Sequence, residues 1–358
     1  MPEPFITTVV GSMPKPPWLY HQKPMDSKGF DHHYTGSDWA LTGDPLRDAQ
    51  DDAVRLAVYD QETAGVRIIS DGEQRRKSYL THITSQLGGF DYENRAEKWI
   101  RDGRRLAQVG RCTGPVEWLG PMVVGALRFL LTNTTSPVKV TLPGPMTVVD
   151  STYDDYYGDE RKLAMAVADA INKEAKALDA LGPAVIQIDE PVFSRYPEKV
   201  ADWGIEALDR CADGLRAQTA VHVCYSYTIP GVERPIKPSY PQILAELEKS
   251  TIDQLALEFQ APQLDPALLE LCPSKTVLFG CVDNADPAIE NAESIAQRLL
   301  AAAEHHDPEK LQAAPDCGLV LLSQAIARAK LSALFRGTQI ARDRLADPRG
   351  RAHGHHHD

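Results

Sequence analysis

Eight short runs rich in Val, Ile and Leu, at 6–10, 66–70, 138–142, 184–188, 219–224, 254–258, 277–281 and 311–314, recur along the chain with longer helical stretches between them. A strand covered on both faces reads as a continuous apolar run, so this alternation predicts parallel strands packed under helices. The segments 45–64, 160–181, 241–250, 266–271 and 292–305 carry apolar residues at three- and four-residue spacing, as helices with one buried face do. Gly65 and Gly182 follow the first two directly, where glycine commonly stops a helix. The expected fold is α/β: a single (β/α)8 TIM-type barrel over residues 1–345, with 20–47 and 92–136 as excursions and 346–358 as a flexible His-containing tail. An open doubly wound sheet would carry a glycine-rich phosphate turn after an early strand, and Val10-Gly-Ser-Met-Pro14 lacks the GxGxxG pattern.

With 358 residues, 43% of them hydrophobic, the chain can bury a large core. A formal charge of −12 disfavours nucleic acid and anionic membrane as partners, because phosphate would be repelled. No apolar stretch of about 18 residues and no leader at Met1-Pro-Glu-Pro-Phe5 is visible, so the expectation is a cytoplasmic protein with a small-molecule partner. In that setting the six cysteines are expected as thiols rather than disulfides.

The chemistry concentrates where strands end. His222 and Cys224 in Thr219-Ala-Val-His-Val-Cys-Tyr225 have the two-residue period that points side chains to one face of a strand. Glu258 closes the following strand and Cys317 follows the last, in Ala314-Pro-Asp-Cys-Gly-Leu319. Two thiolates, an imidazole and a carboxylate suit zinc, and ligands separated by whole strand-helix units suit a catalytic site better than a structural one. Cys281 also ends a strand and competes for the fourth position. Zinc would hold an incoming thiol as its nucleophilic thiolate. On the same rim, Glu73 and Asp189 are acids suited to an ammonium and to catalysis, and Gly11 and Ser12 offer donors to a carboxylate, so the expected ligand is an amino acid. The plainer alternatives are a buried salt bridge with a helix cation for Asp189 and Glu190, and a loop cap for Ser12.

Seven motifs in order, Thr8-Val-Val-Gly-Ser12, Asp71-Gly-Glu73, Pro143-Gly-Pro-Met-Thr147, Gln187-Ile-Asp-Glu-Pro191, His222-Val-Cys-Tyr-Ser226, Glu258 and Pro315-Asp-Cys-Gly-Leu319, make residues 7–342 resemble the catalytic carboxyl-terminal barrel of the cobalamin-independent methionine synthases. The resemblance implies that His222, Cys224, Glu258 and Cys317 bind a catalytic zinc that activates homocysteine for attack on a methyl donor. It also implies substrate roles for Ser12, Glu73 and Asp189.

Departures shape the rest of the expectation. The full-length enzymes carry an additional amino-terminal barrel that helps hold folate, whereas this chain starts with the catalytic unit. Where the family has a folate-packing tryptophan the chain reads Val149-Asp-Ser-Thr-Tyr153, and the family's proton-donating histidine matches Ala285. A tertiary amine donor needs protonation to leave, so a non-folate donor is expected. The short form is similar to core-type methionine synthases, which implies a corrinoid or corrinoid protein as a possible methyl source. The related epoxyalkane:coenzyme M transferases, whose sulfonate-bearing thiol would favour cations such as Arg75, Arg76 and Lys77, give the alternative reading, and a non-catalytic zinc- or thiol-binding barrel gives a third.

Overall fold

A computed structural model describes residues 3–21, 38–224 and 239–347. In chain order its strands are β1 (Ile6–Thr7), β2 (Leu87–Ile100), β3 (Arg105–Trp118), β4 (Lys139–Pro143), β5 (Thr152–Asp154), β6 (Val185–Asp189), β7 (Gln218–Val223), β8 (Gln254–Leu257), β9 (Thr276–Val282) and β10 (Leu311–Pro315). Seven of them pair in parallel, in the order β1-β10-β9-β8-β7-β6-β4, giving an α/β fold around a mostly parallel, curled sheet. The apolar runs lie where the sequence predicts strands, and the residues of β4, β6 and β10 are all buried, as strands covered on both faces must be.

Segment 66–70 departs from expectation. It joins the two edges of the sheet through isolated parallel bridges, Thr8 to Ile68 and Ile69 to Val138, rather than through a full strand. A side chain competes for its backbone: Gln61 Nε2 donates to the Ser70 carbonyl at 2.9 Å, and Gln61 Oε1 accepts the Ser70 N–H at 3.0 Å. Those groups are no longer available to a ladder.

The helices begin and end for local reasons. Asp159 accepts the Lys162 N–H at 2.9 Å and starts Glu160–Asp179, and Asn291 caps Ala292–Ala303 in the same way. Gly65, just past Gly43–Thr63, takes φ +95, and a Cβ there would stand 2.4 Å from the Phe335 ring. Segment 266–271 is a 3-10 turn rather than an α-helix.

The excursion at 92–136 is no irregular loop. β2 and β3 form a long antiparallel hairpin, paired in turn with β5, and a helix at Val124–Thr132 follows. Its tip turns through Arg101, Asp102 and Gly103, all at positive φ, and docks on the helix Pro145–Asp150 and on Tyr196 in the segment after β6: the Arg101 N–H donates to Asp150 Oδ2 at 3.0 Å and the Asp102 N–H to Tyr196 Oη at 2.6 Å. The hairpin therefore leans over the end of the sheet where β4, β6, β7, β8 and β10 deliver their last residues.

Candidate functional site

Parallel strands finish at one end of the sheet, so residues far apart in the chain arrive together. His222 lies on β7, Cys224 one residue past its end, and Cys317 two residues past β10, where the register shifts between Ala314 and Pro315 and redirects the chain. Their ligand atoms all lie within 4.8 Å of one another, and all three side chains are buried. His222 Nδ1 stands 3.7 Å from Asp189 Oδ1, long for a hydrogen bond but close enough for attraction. Burial opposes protonation of the ring, yet the neighbouring Asp189 and Cys224 raise its pKa overall. Among the described residues His222 Nε2 is buried with no hydrogen-bond partner. Such an orphan costs about 1–3 kcal/mol, and a metal bond would remove the cost.

Hydrogen bonding with Cys224, followed by burial, pushes the Cys317 thiol well above the ordinary thiol range. Two buried thiols beside an unsatisfied imidazole nitrogen form a soft donor set that fits a zinc ion, whose charge would reverse that shift. None of the six cysteines forms a disulfide.

Glu258, expected as the fourth ligand, immediately follows β8 and is fully buried, and its charge contributes to the upward shift of Cys317. Among the described residues its carboxylate stands outside the tight group of three. Cys281 is outside it as well, its thiol donating to the Ala314 carbonyl at 3.7 Å. Asp316, which the sequence reading passed over, ties the two strand ends together. Its carboxylate accepts the N–H groups of Phe259 at 3.1 Å, Gln260 at 3.0 Å and Ala261 at 2.7 Å, the residues just after Glu258.

A cavity of about 80 Å³ opens beside the triad, and Ser12, Lys15, Glu73 and Asp189 are among the residues that line it. Glu73 takes φ +55 in a turn where its N–H donates to Asp71 Oδ1 at 2.8 Å. Burial pushes its carboxyl up to about 7, opposed by the Arg76 guanidinium 3.8 Å away. A Cβ at Gly11 would stand 2.6 Å from Glu73 Oε2, so glycine there makes room for the acid. Asp189 is held by Gln187, whose Nε2 donates to Asp189 Oδ1 at 2.9 Å and to the Val10 carbonyl at 2.8 Å. The salt bridge with a helix cation is not what Glu190 makes: it accepts the N–H groups of Met146 at 3.1 Å and Thr147 at 2.9 Å, at the start of the helix after β4.

The structure thus gathers Gly11, Ser12, Glu73, Asp189, His222, Cys224 and Cys317 at one place. Lys15, Tyr79 and Asp316 were missed, although Lys15 follows Ser12 by three residues in the same loop. Tyr225, Ser226 and most of the His-containing tail lie outside the described residues. Among the described residues no helix is long and apolar enough to cross a membrane.

Comparison with known proteins bears on this geometry. Residues 5–339 match the family described as "Cobalamin-independent synthase, Catalytic domain". The chain is 31% identical over 340 residues to a methionine synthase of Sulfurisphaera tokodaii, covering 95% of this chain and 93% of that protein. It is 31% identical over 348 residues to one of Pyrococcus abyssi, covering 97% and 95%. A solved B12-independent methionine synthase from Shewanella sp. W3-18-1, in complex with selenomethionine, superposes with a TM-score of 0.88 at 38% identity over 96% of this chain and 99% of that one. A family described as cobalamin-independent counts against the corrinoid donor expected from the chain's short form.

Proposed function

The chain belongs to the cobalamin-independent methionine synthase family, matched through its catalytic domain, and from that premise we propose that it is a zinc-dependent methyltransferase converting homocysteine to methionine. The observation that carries the reading is the convergence of His222, Cys224 and Cys317 beside a cavity lined by Glu73 and Asp189. His222, Cys224 and Cys317 would hold the zinc, with Glu258 close by as a further donor, and the ion would keep a bound thiol deprotonated near neutral pH.

The remaining work falls to the chain's own side chains. Glu73 and Asp189 grip the substrate ammonium, and Gln187 keeps Asp189 turned toward the cavity. Gly11 and Ser12 face the substrate carboxylate. Held at both ends, the substrate has its sulfur aimed along one direction, which supplies the alignment that displacement at a methyl carbon requires. Sulfur forms the new bond to carbon as the donor leaves with the bonding pair. Ala285 offers no proton to a departing amine, which favours a donor other than polyglutamyl folate. The same reading takes residues 1–345 as one (β/α)8 barrel, with 66–70 as its eighth strand, supported by the bridges at Ile68 and Ile69.

Zinc-loaded protein incubated with homocysteine and methyltetrahydrofolate, methylcobalamin or epoxypropane, followed by mass spectrometry, tests this reading. Methionine is the expected product. Thiol loss with epoxypropane alone would favour the epoxide-opening alternative. Stoichiometric zinc with a tight thiol complex and no turnover would favour a binding barrel.

A further inference from the structure

Beside the cavity at the triad lies a larger one, of about 520 Å³, with a different makeup. Space of that size takes an organic molecule, since ligand clefts span about 300–1,000 Å³. Among the described residues its walls include two aromatic rings, Trp39 and Tyr92, two cations, Arg75 and Lys77, and the ring of His82. Lys77 borders both cavities, whereas His222, Cys224 and Cys317 border only the smaller.

These groups are held in place by the protein itself. The Trp39 ring stands edge-on to Tyr20 with centroids 5.1 Å apart, and its segment is pinned on either side, by the His21 N–H on the Asp38 carbonyl at 2.8 Å and the Ala40 N–H on the Leu19 carbonyl at 2.9 Å. Tyr92 Oη is hydrogen-bonded to Thr84 Oγ1. The Arg75 guanidinium pairs with Asp51 and lies 4.8 Å from the centroid of the Phe129 ring, while Lys77 Nζ stands 3.6 Å from Asp38 Oδ2. Among the described residues Arg75 Nε is buried with no hydrogen-bond partner.

The potential at this wall is positive in spite of the two acids. Burial, and then the charges of Arg76 and Lys15, push the His82 ring down to about 4, so at about pH 7 it is neutral, with one nitrogen to donate and one to accept. In a chain of net charge −12 the run Arg75-Arg76-Lys77 goes against the prevailing sign. A negative group entering here would meet cations already positioned, which lowers the cost of ordering them. The two rings would cover an aromatic body.

We propose that this cavity is a second ligand site, distinct from the thiol cavity, and that it takes a small aromatic molecule bearing an anionic group. The rings of Trp39 and Tyr92 hold the aromatic body, and Lys77 and Arg75 meet the anion. The site goes beyond the methyl-transfer reading and does not depend on it, because no residue of the thiol triad takes part.

Two fluorescent probes test it on the zinc-loaded protein: 8-anilinonaphthalene-1-sulfonate, an aromatic anion, and N-phenyl-1-naphthylamine, the same rings without the sulfonate. Wild type is expected to bind one equivalent of the sulfonate probe and to favour it over the uncharged one by about 10-fold or more, the lower end for a hydrogen bond to a charged group. Lys77→Met should remove most of that preference by weakening the sulfonate probe alone. Trp39→Leu should weaken both probes alike, by roughly two- to tenfold for a lost ring contact. Cys317→Ser, in the other cavity, should bind both as wild type does. Circular dichroism verifies that the variants are folded, and salt gives a readout that needs no variant: about 0.5 M sodium chloride should weaken the sulfonate probe and leave the uncharged probe no weaker. Equal binding of the two probes, an unchanged preference in folded Lys77→Met, or loss of binding only in Cys317→Ser would overturn the second site. So would a folded wild type that binds neither probe.

Discussion

His222 Nε2, a buried nitrogen with no hydrogen-bond partner among the described residues, is the point at which the physical chemistry of single residues turns toward metal. If it and the two thiols share one ion, Cys317→Ser should lower zinc stoichiometry severely while circular dichroism stays native, because the ligand lies beyond its strand rather than in the core. Gly280 is a second sensitive position: a Cβ there would meet Asp316 Oδ1 at 2.3 Å and the Leu257 carbonyl at 2.7 Å. Gly280→Ala should cost about 1–3 kcal/mol in chemical unfolding, in the range for overpacked sites, and should loosen zinc by disturbing the Asp316 clamp. Glu73 supplies a third expectation. Burial raises it to about 7, and a bound ammonium would pull it back down, so homocysteine binding below that pH should release protons. Calorimetry at pH 6.5 in buffers of different ionisation enthalpy reads that release directly. The strand-end ligands were legible because a two-residue period and a strand terminus are features of the chain itself. Asp316 and Lys15 were not legible, because their partners, 259–261 for one and Tyr20 for the other, are set by loops that meet only in the folded protein.

At the scale of elements, doubly covered strands announce themselves as unbroken apolar runs, and each of the eight runs lies at a strand or a bridge of the sheet. The β2-β3 hairpin announced nothing. Its exposed and half-exposed positions carry Glu93, Arg95, Glu97 and Lys98, and register shifts between Gly88 and Phe90 and between Asp91 and Ala96 break the alternation by which a strand is recognised. Segment 66–70 reads as a strand but pairs sparsely, because Gln61 takes the backbone groups of Ser70. The hairpin's position over the strand ends depends on a small latch, in which Tyr196 Oη accepts from Asp102 N–H and donates to Asp150 Oδ1, both at 2.6 Å. Tyr196→Phe should speed amide exchange at 100–104 by about fivefold, equivalent to about 1 kcal/mol, with global stability nearly unchanged. Unaltered exchange there would show that the tip is held by other contacts.

For the molecule as a whole, burying acids at the end of a sheet makes stability depend on pH. Glu73 and Glu190 are both raised from 4.5 to about 7, chiefly by burial. Between those values the unfolded chain has lost protons that the native protein still holds, so this contribution to stability is full below about pH 4.5 and lost as pH rises to 7. Urea unfolding of metal-free protein should give a higher midpoint in the lower part of that window than at its top, and the Glu190→Gln variant should flatten the profile. The molecule tolerates this because Glu73 sits where a charged ligand is expected to compensate it, while Glu190 accepts the N–H groups of Met146 and Thr147. Zinc K-edge X-ray absorption with and without homocysteine is the most direct test of the central claim, that His222, Cys224 and Cys317 share a zinc that takes up the substrate sulfur. The expected spectrum has one imidazole and two thiolate ligands in the resting protein and gains one sulfur on adding homocysteine. A purified protein without zinc, or a sulfur count that homocysteine leaves unchanged, would contradict it.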